Sequence, residues 1–258
     1  MRNIDAAVKA MARRIAEILE PCSPSVYLYG SLTLGDFRPG WSDIDILVLT
    51  GESISEVQAK RLVGLRREMT EEEPDNSYYR CFEGGMLTLN TLLNGASDRV
   101  VYWGTGGERI TDRYDFDAFC RCELLDNGIL LYGSDVRDRI TYPGFDELKK
   151  NVRHHYETIR KYAQKTGRSL YSFGWLLDIS RCIYTLRTGK IIAKTAAGEW
   201  ALREGLCPCE DSLARAVEVR KAPQKNLCGG DSLELAETLC ADIQRYADVM
   251  DYELSRAL

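Results

Sequence analysis

The spacing of apolar residues changes character along the chain. Residues 1–20 carry apolar side chains at helical spacing, interrupted by Lys9, Arg13 and Arg14, which predicts an amphipathic helix. Val26–Tyr29 is a short β-rich run that ends in Gly30-Ser31. Ile44–Leu49 is almost wholly apolar, as a central strand covered on both faces should be. Glu52–Thr70 reads as a second amphipathic helix, and Glu71–Asp75 as a solvated acidic loop. The Gly84-Gly85 pair reads as a break, followed by a third strand at Met86–Leu93 and a fourth at Val100–Trp103. The Gly-rich stretch 104–107 lacks the strand–GxGxxG–helix setting of a phosphate loop.

After Tyr142-Pro143-Gly144 the pattern is helical throughout. Segments Phe145–Gln164, Leu170–Arg187, Thr195–Glu204, Asp211–Lys221 and Ser232–Leu258 are punctuated by Gly167, Gly189 and Gly229-Gly230. The expected architecture is α+β: a mixed sheet with helices over residues 1–142, then an α-helical bundle over 143–258.

Composition narrows the function. At 258 residues, 45% hydrophobic content and a net charge of -5, the chain has material for a core and no bulk attraction to nucleic acid. No run approaches the roughly 18 apolar residues that span a bilayer, and the first helix lacks the continuous apolar region of a signal peptide. The expectation is a cytoplasmic protein with neither membrane nor nucleic acid as partner. Nine cysteines, odd in number and irregularly spaced, do not form a disulfide framework. The close pairs Cys120/Cys122 and Cys207/Cys209 are C-x-C, so scattered reduced thiols are the default over a zinc site.

The chemistry concentrates between Val26 and Leu49. Asp43 and Asp45 stand one residue apart at the start of a strand, so both carboxylates face one side while Ile44 and Ile46 anchor the other. Two hard oxygen donors on one strand face suit Mg²⁺, which keeps waters and substrate phosphates among its ligands. Gly30 lets the backbone approach a phosphate closely, and Ser31 adds a hydroxyl. Leu32 onward is expected to start a short helix with free N–H groups. Arg38 reads equally as a phosphate contact or a solvated loop arginine. Asp-x-Asp alone is a common pattern; the preceding strand and Gly-Ser turn give it weight.

These residues resemble the nucleotidyltransferase superfamily with the polymerase-β-like fold. Its signature is an apolar residue, Gly and Gly or Ser, about ten residues, then Asp, apolar, Asp or Glu, apolar. This chain reads Tyr29-Gly30-Ser31, eleven residues, then Asp43-Ile44-Asp45-Ile46. Within the superfamily, the resemblance is to aminoglycoside adenylyltransferases of the streptomycin/spectinomycin type. It extends to the helical half, where Ser180, Arg181, Tyr184, Thr188-Gly189-Lys190-Ile191, Lys194 and Trp200 repeat that family's order. The resemblance implies Mg²⁺ on Asp43 and Asp45 as catalytic ligands, and ATP as co-substrate. It assigns nucleotide contacts to Gly30, Ser31, Arg181 and Lys194. It also implies transfer of AMP to a hydroxyl of a small molecule of the aminoglycoside class, bound between the two halves. Read without it, Asp178, Arg181 and Thr185 are one face of a helix, and Gly189 ends that helix.

One part of the family pattern is missing from the expected third strand. A third carboxylate belongs there, yet Met86–Leu93 holds no acid and Asn90 stands nearest the place. Asn cannot take a proton. Three readings stay open: Glu83 or Asp98 reaches in from a loop, the acceptor needs little activation, or the chain binds nucleotide without transferring it. A protein acceptor, as in small toxin-antitoxin nucleotidyltransferases, is the rival within the fold. His154 and His155, adjacent on one helix, diverge by about 100° and do not share a metal. Trp103, Trp175 and Tyr171 read as core aromatics before cleft-lining ones.

Overall fold

Strand-forming runs in the N-terminal half assemble one mixed sheet. In the computed structural model, which describes residues 4–104, 106–227 and 230–257, six strands lie in the order β5-β4-β3-β2-β1-β6. Expectations touching Met1–Asn3, Thr105, Cys228, Gly229 and Leu258 fall outside the described residues.

Two units partition the chain. The first takes the chain up to Thr33 and then Asp43–Tyr142; the second takes Leu34–Ser42 and the chain from Pro143 onward. Residues 34–42, read from sequence as part of the N-terminal domain, thus pack with the helical unit.

The first unit runs α1 (Ile4–Leu19), β1 (Ser25–Tyr29), β2 (Ile44–Thr50), α2 (Glu56–Glu72), β3 (Phe82–Thr88), α3 (Leu89–Asn94), β4 (Val100–Gly104), β5 (Gly107–Thr111), α4 (Ala118–Asn127) and β6 (Ile129–Tyr132). β2 and β3 pair in parallel; every other neighbouring pair is antiparallel. Strand periodicity of two then divides β2. Leu47 and Leu49 join Tyr27, Tyr29 and Leu87 in a core cluster closed by Phe116 and by Leu124 of α4. Ile44, Ile46 and Val48 are fully or almost fully buried on the other face. There Trp103, without exposed surface, donates its indole N–H to the Leu62 carbonyl of α2 at 3.0 Å. A capping box between Ser55 and Gln58 starts α2, and the Asp117 side chain accepts the Cys120 N–H to start α4.

The third strand corrects the sequence reading. It begins at Phe82 and runs straight through Gly84-Gly85, and the chain turns helical at Leu89 after Thr88 caps α3. Gly84 is no breaker: a Cβ there would stand 1.8 Å from the Ile46 carbonyl oxygen of the neighbouring strand. Glycine inside a strand marks such close approach as readily as a turn. Asn90 is therefore an exposed residue of a short helix, accepting from Asn94 at 2.8 Å, and not a strand residue in the place of an acid. The expected helix at Leu32 is also absent: residues 30–35 form turns. β5, α4 and β6 carry no strong periodic signal, and the sequence reading did not foresee them.

The second unit is helical: α5 (Phe145–Tyr162), α6 (Leu170–Thr188), α7 (Lys194–Arg203), α8 (Glu210–Lys221), α9 (Pro223–Leu227), α10 (Gly230–Thr238) and α11 (Cys240–Arg256). α6 is buried around most of its circumference, as the central member of a bundle is. Gly189 caps it in the left-handed region, φ 67°. The single helix expected over residues 232–258 is two, separated at buried Leu239. Cys207 and Cys209 are free, buried thiols with sulfurs 3.5 Å apart. Among the described residues, no helix is long and apolar enough to cross a membrane.

Replacing Gly84 by Ala is expected to destabilise the chain by more than about 3 kcal/mol, because the displaced group would be the backbone of β2. Urea denaturation measures this; a loss below about 0.5 kcal/mol would contradict the close approach.

Candidate active site

The Gly-Ser turn and the two aspartates meet at the end of β1 and the start of β2. Register pairs Tyr29 with Asp45, so the turn that follows Tyr29 lies beside the Asp45 side chain. Gly30 has φ 73°, and a Cβ on it would stand 2.1 Å from Asp45 Oδ2. Glycine is thus required twice over, by backbone conformation and by the carboxylate against it. The Ser31 backbone N–H donates to Asp45, and its hydroxyl donates to the Asp43 carbonyl at 3.4 Å. The sequence reading put Ser31 against phosphate; here its N–H group orients a carboxylate.

Asp43 is exposed at the mouth of this group, whereas Asp45 is half-buried. Burial pushes the Asp45 carboxyl well above the usual carboxylate range, and Glu123, Asp43 and Glu83 push it further. The Ser31 N–H acts in the opposite direction. Glu83 stands in register with Asp45 on the adjacent parallel strand. It is an acid beside Asp45 that the Met86–Leu93 strand reading leaves out. The sequence reading starts the strand four residues too late, after the two glycines, and leaves Glu83 to a loop. Asp98, the other acid considered, accepts from the Ser53 hydroxyl at 2.7 Å and is not among the groups acting on Asp45. Glu123 of α4 is a buried acid that no motif signalled.

The donor set fits a hard divalent cation. Burial and the neighbouring acids disfavour charge on Asp45, and a dication reverses both effects. Among the described residues no three His, Cys, Asp or Glu side chains converge as a ready-made metal cage. Mg²⁺ is usually held by one or two carboxylates together with substrate phosphates and water, and Asp43 and Asp45 are carboxylates of that kind.

A second polar group lies wholly inside the helical unit. Asp178 of α6 pairs with Lys194 Nζ at 2.9 Å and with Arg181 at 3.6 Å. Burial raises the Asp178 carboxyl, but Lys194, Arg181 and His155 outweigh it and hold it below the usual range. The two cations singled out in sequence are therefore brought together on one half-buried acid. Nearby in charge, Arg220 of α8 is lowered chiefly by burial and is influenced by Asp178 and Arg181. Its direct partner is Asp36, at 3.1 Å. Asp36 also accepts the Thr195 N–H and hydroxyl, at 3.2 and 2.6 Å, and pairs with Arg38 at 3.1 Å. Arg38 is thus an ion-paired residue of the helical unit rather than a solvated loop arginine. Arg220 further lies 5.2 Å from the centre of the Trp41 ring. Four cations around two acids leave net positive charge, which suits a polyanionic ligand. Asp36 was missed because a lone acid in a Gly/Pro-rich loop carries no periodic signal. Of the remaining aromatics, Tyr171 is largely exposed, while Trp200 packs edge-on against Tyr184 with centroids 5.1 Å apart.

Comparison with known proteins bears on both halves. Residues 9–78 match the model of the nucleotidyltransferase domain, and residues 146–241 match that of the aminoglycoside adenylyltransferase C-terminal domain. A spectinomycin 9-adenylyltransferase of Campylobacter jejuni is 30% identical over 207 residues, covering 73% of this chain and 74% of the relative. One from Enterococcus faecalis is 24% identical over 184 residues, covering 67% and 69%. Among solved structures, spectinomycin adenyltransferase AAD(9) from Enterococcus faecialis, crystallised with ATP and spectinomycin, superposes with a TM-score of 0.66 at 15% identity. That match covers 93% of this chain and 96% of the other, and shows a shared fold.

Two stability outcomes follow. Asp45→Asn is expected to raise the melting temperature of the metal-free protein at pH 7 by about 2–4 °C, since it removes a repelled charge. The folded-state carboxyl binds its proton more tightly than the unfolded one, so this gain should vanish as pH falls toward 4; a drop in melting temperature at pH 7 would refute the repulsion. Asp36→Ala leaves Arg220 buried without its carboxylate and should cost about 3–5 kcal/mol by urea denaturation. A near-neutral effect would show that the pair carries no structural weight.

Proposed function

The chain belongs to the aminoglycoside adenylyltransferase family, and from that membership we propose that it transfers AMP from ATP to a hydroxyl of an aminoglycoside-type antibiotic, spectinomycin being the first acceptor to test. The observation that carries this reading is the alignment of Asp45 and Glu83 across β2 and β3, with Gly30-Ser31 against Asp45.

Asp43 and Asp45 would hold Mg²⁺, which when bound neutralises the triphosphate and the charge developing on departing pyrophosphate. Gly30 keeps the turn free of a side chain. Arg181 and Lys194, steadied by Asp178, serve as nucleotide contacts. Glu83 takes the proton of the acceptor hydroxyl as its oxygen bonds to the α-phosphorus and the bond to pyrophosphate breaks. The place of Glu83 beside Asp45 supports turnover over nucleotide binding alone. The -5 net charge of the chain also favours a cationic acceptor over an anionic one.

The test is pyrophosphate release and a gain of one AMP in acceptor mass, with ATP, MgCl₂ and either spectinomycin or streptomycin. Asp43→Ala should abolish turnover. Glu83→Gln should lower kcat by about 10²–10⁴ while ATP still binds in the presence of Mg²⁺. Undiminished turnover in either variant would sink the assignment.

A further inference from the structure

Glu83 has its own support on the neighbouring strand. The Tyr102 hydroxyl of β4 donates to Glu83 Oε1 at 3.0 Å. Antiparallel pairing sets Gly84 opposite Trp103 and Gly85 opposite Tyr102. One residue further, Gly104 therefore comes opposite Glu83, on the sheet face that Tyr102 also occupies. Tyr102 leans along its own strand, over Gly104, to reach the carboxylate.

This reach depends on missing side chains. A Cβ on Gly104 would stand 2.1 Å from the Tyr102 hydroxyl oxygen, and one on Gly85 would stand 2.5 Å from the Tyr114 ring. Tyr114 in turn packs against Tyr102, with ring centres 6.0 Å apart. On β5, the Arg109 guanidinium lies 4.3 Å from the centre of the Tyr102 ring. The phenol is thus held by both a ring neighbour and a cation, and its hydrogen is aimed at one oxygen of Glu83. Burial and the adjacent Glu83 both push the Tyr102 hydroxyl up, which keeps it a donor at neutral pH.

We infer that Tyr102 is a positioning residue for catalysis: its hydroxyl fixes the rotamer of Glu83 and leaves the second carboxylate oxygen to receive the acceptor's proton. This rests on the reading of Glu83 as the base. A base held in place before substrate arrives loses less orientational freedom at the transition state, so removing the hydroxyl should slow the chemical step rather than weaken binding.

Two substitutions test it independently in the full chain. Tyr102→Phe removes one oxygen and keeps the ring. Gly104→Ala keeps the hydroxyl but puts a methyl group where it lies. Both should lower kcat about tenfold or more, with KM for ATP and for spectinomycin within about twofold of wild type and a melting curve close to it. Adding Tyr102→Phe to Glu83→Gln should cost nothing further, since the two act as one unit. Wild-type kcat in Tyr102→Phe, a shift confined to KM, or a full additional loss in the Glu83→Gln background would each overturn the inference. If Glu83→Gln itself turns over at the wild-type rate, the base assignment fails and takes the inference with it. A slow Glu83→Gln beside a wild-type Tyr102→Phe refutes the positioning role alone.

Discussion

Concentrated negative charge at the end of β2 is the constraint around which the first unit is organised. Asp45 is half-buried, feels the charge of three other acids, and is met by one backbone N–H from Ser31. Such an arrangement costs folding free energy unless a cation arrives, and stability-activity conflicts of this kind are typical of functional sites. The local structure yields to it. Gly30 adopts a left-handed turn because the carboxylate fills the space of its absent side chain. The flanking apolar strand, with Leu47, Leu49, Ile44 and Ile46 all buried, supplies the rigidity that holds the acids in place.

The helical unit treats its own charges differently. Asp178 and Asp36 each gather cations, and each is held by more than one partner. These acids fix the position of arginine and lysine side chains while leaving positive charge in excess. The first unit therefore gathers acid around Asp45, whereas the second surrounds its acids with an excess of cations.

Much of this was legible in the chain itself. Gly30-Ser31 and Asp43-x-Asp45 are close in sequence, and an apolar run announces the strand that carries them. Arg181, Gly189 and Lys194 likewise lie within two turns of a helix end. Glu83 was harder: its relation to Asp45 is a register between strands almost forty residues apart, and two glycines disguised the strand that bears it. Asn90 was taken for its substitute because counting began after those glycines. Glu123 and Asp36 are single acids whose importance lies entirely in what folds against them. Tyr102 was legible as a strand residue and nothing more; its role depends on two glycines being empty in the right places.

The chain's route through the two units has a further consequence. Residues 34–42 belong to the helical unit although their flanks on both sides belong to the sheet unit, so the backbone crosses from one to the other three times. The loop is fastened at its destination by Asp36, whose carboxylate meets Thr195 and Arg220 about 160 and 180 residues downstream. A single cut after Tyr142 does not yield two self-sufficient pieces. The N-terminal fragment would carry away the loop's anchor, and the C-terminal fragment would keep a buried guanidinium stripped of its partner. The sequence reads as two consecutive domains, yet residues 34–42 tie the boundary at Tyr142 to a loop about one hundred residues upstream.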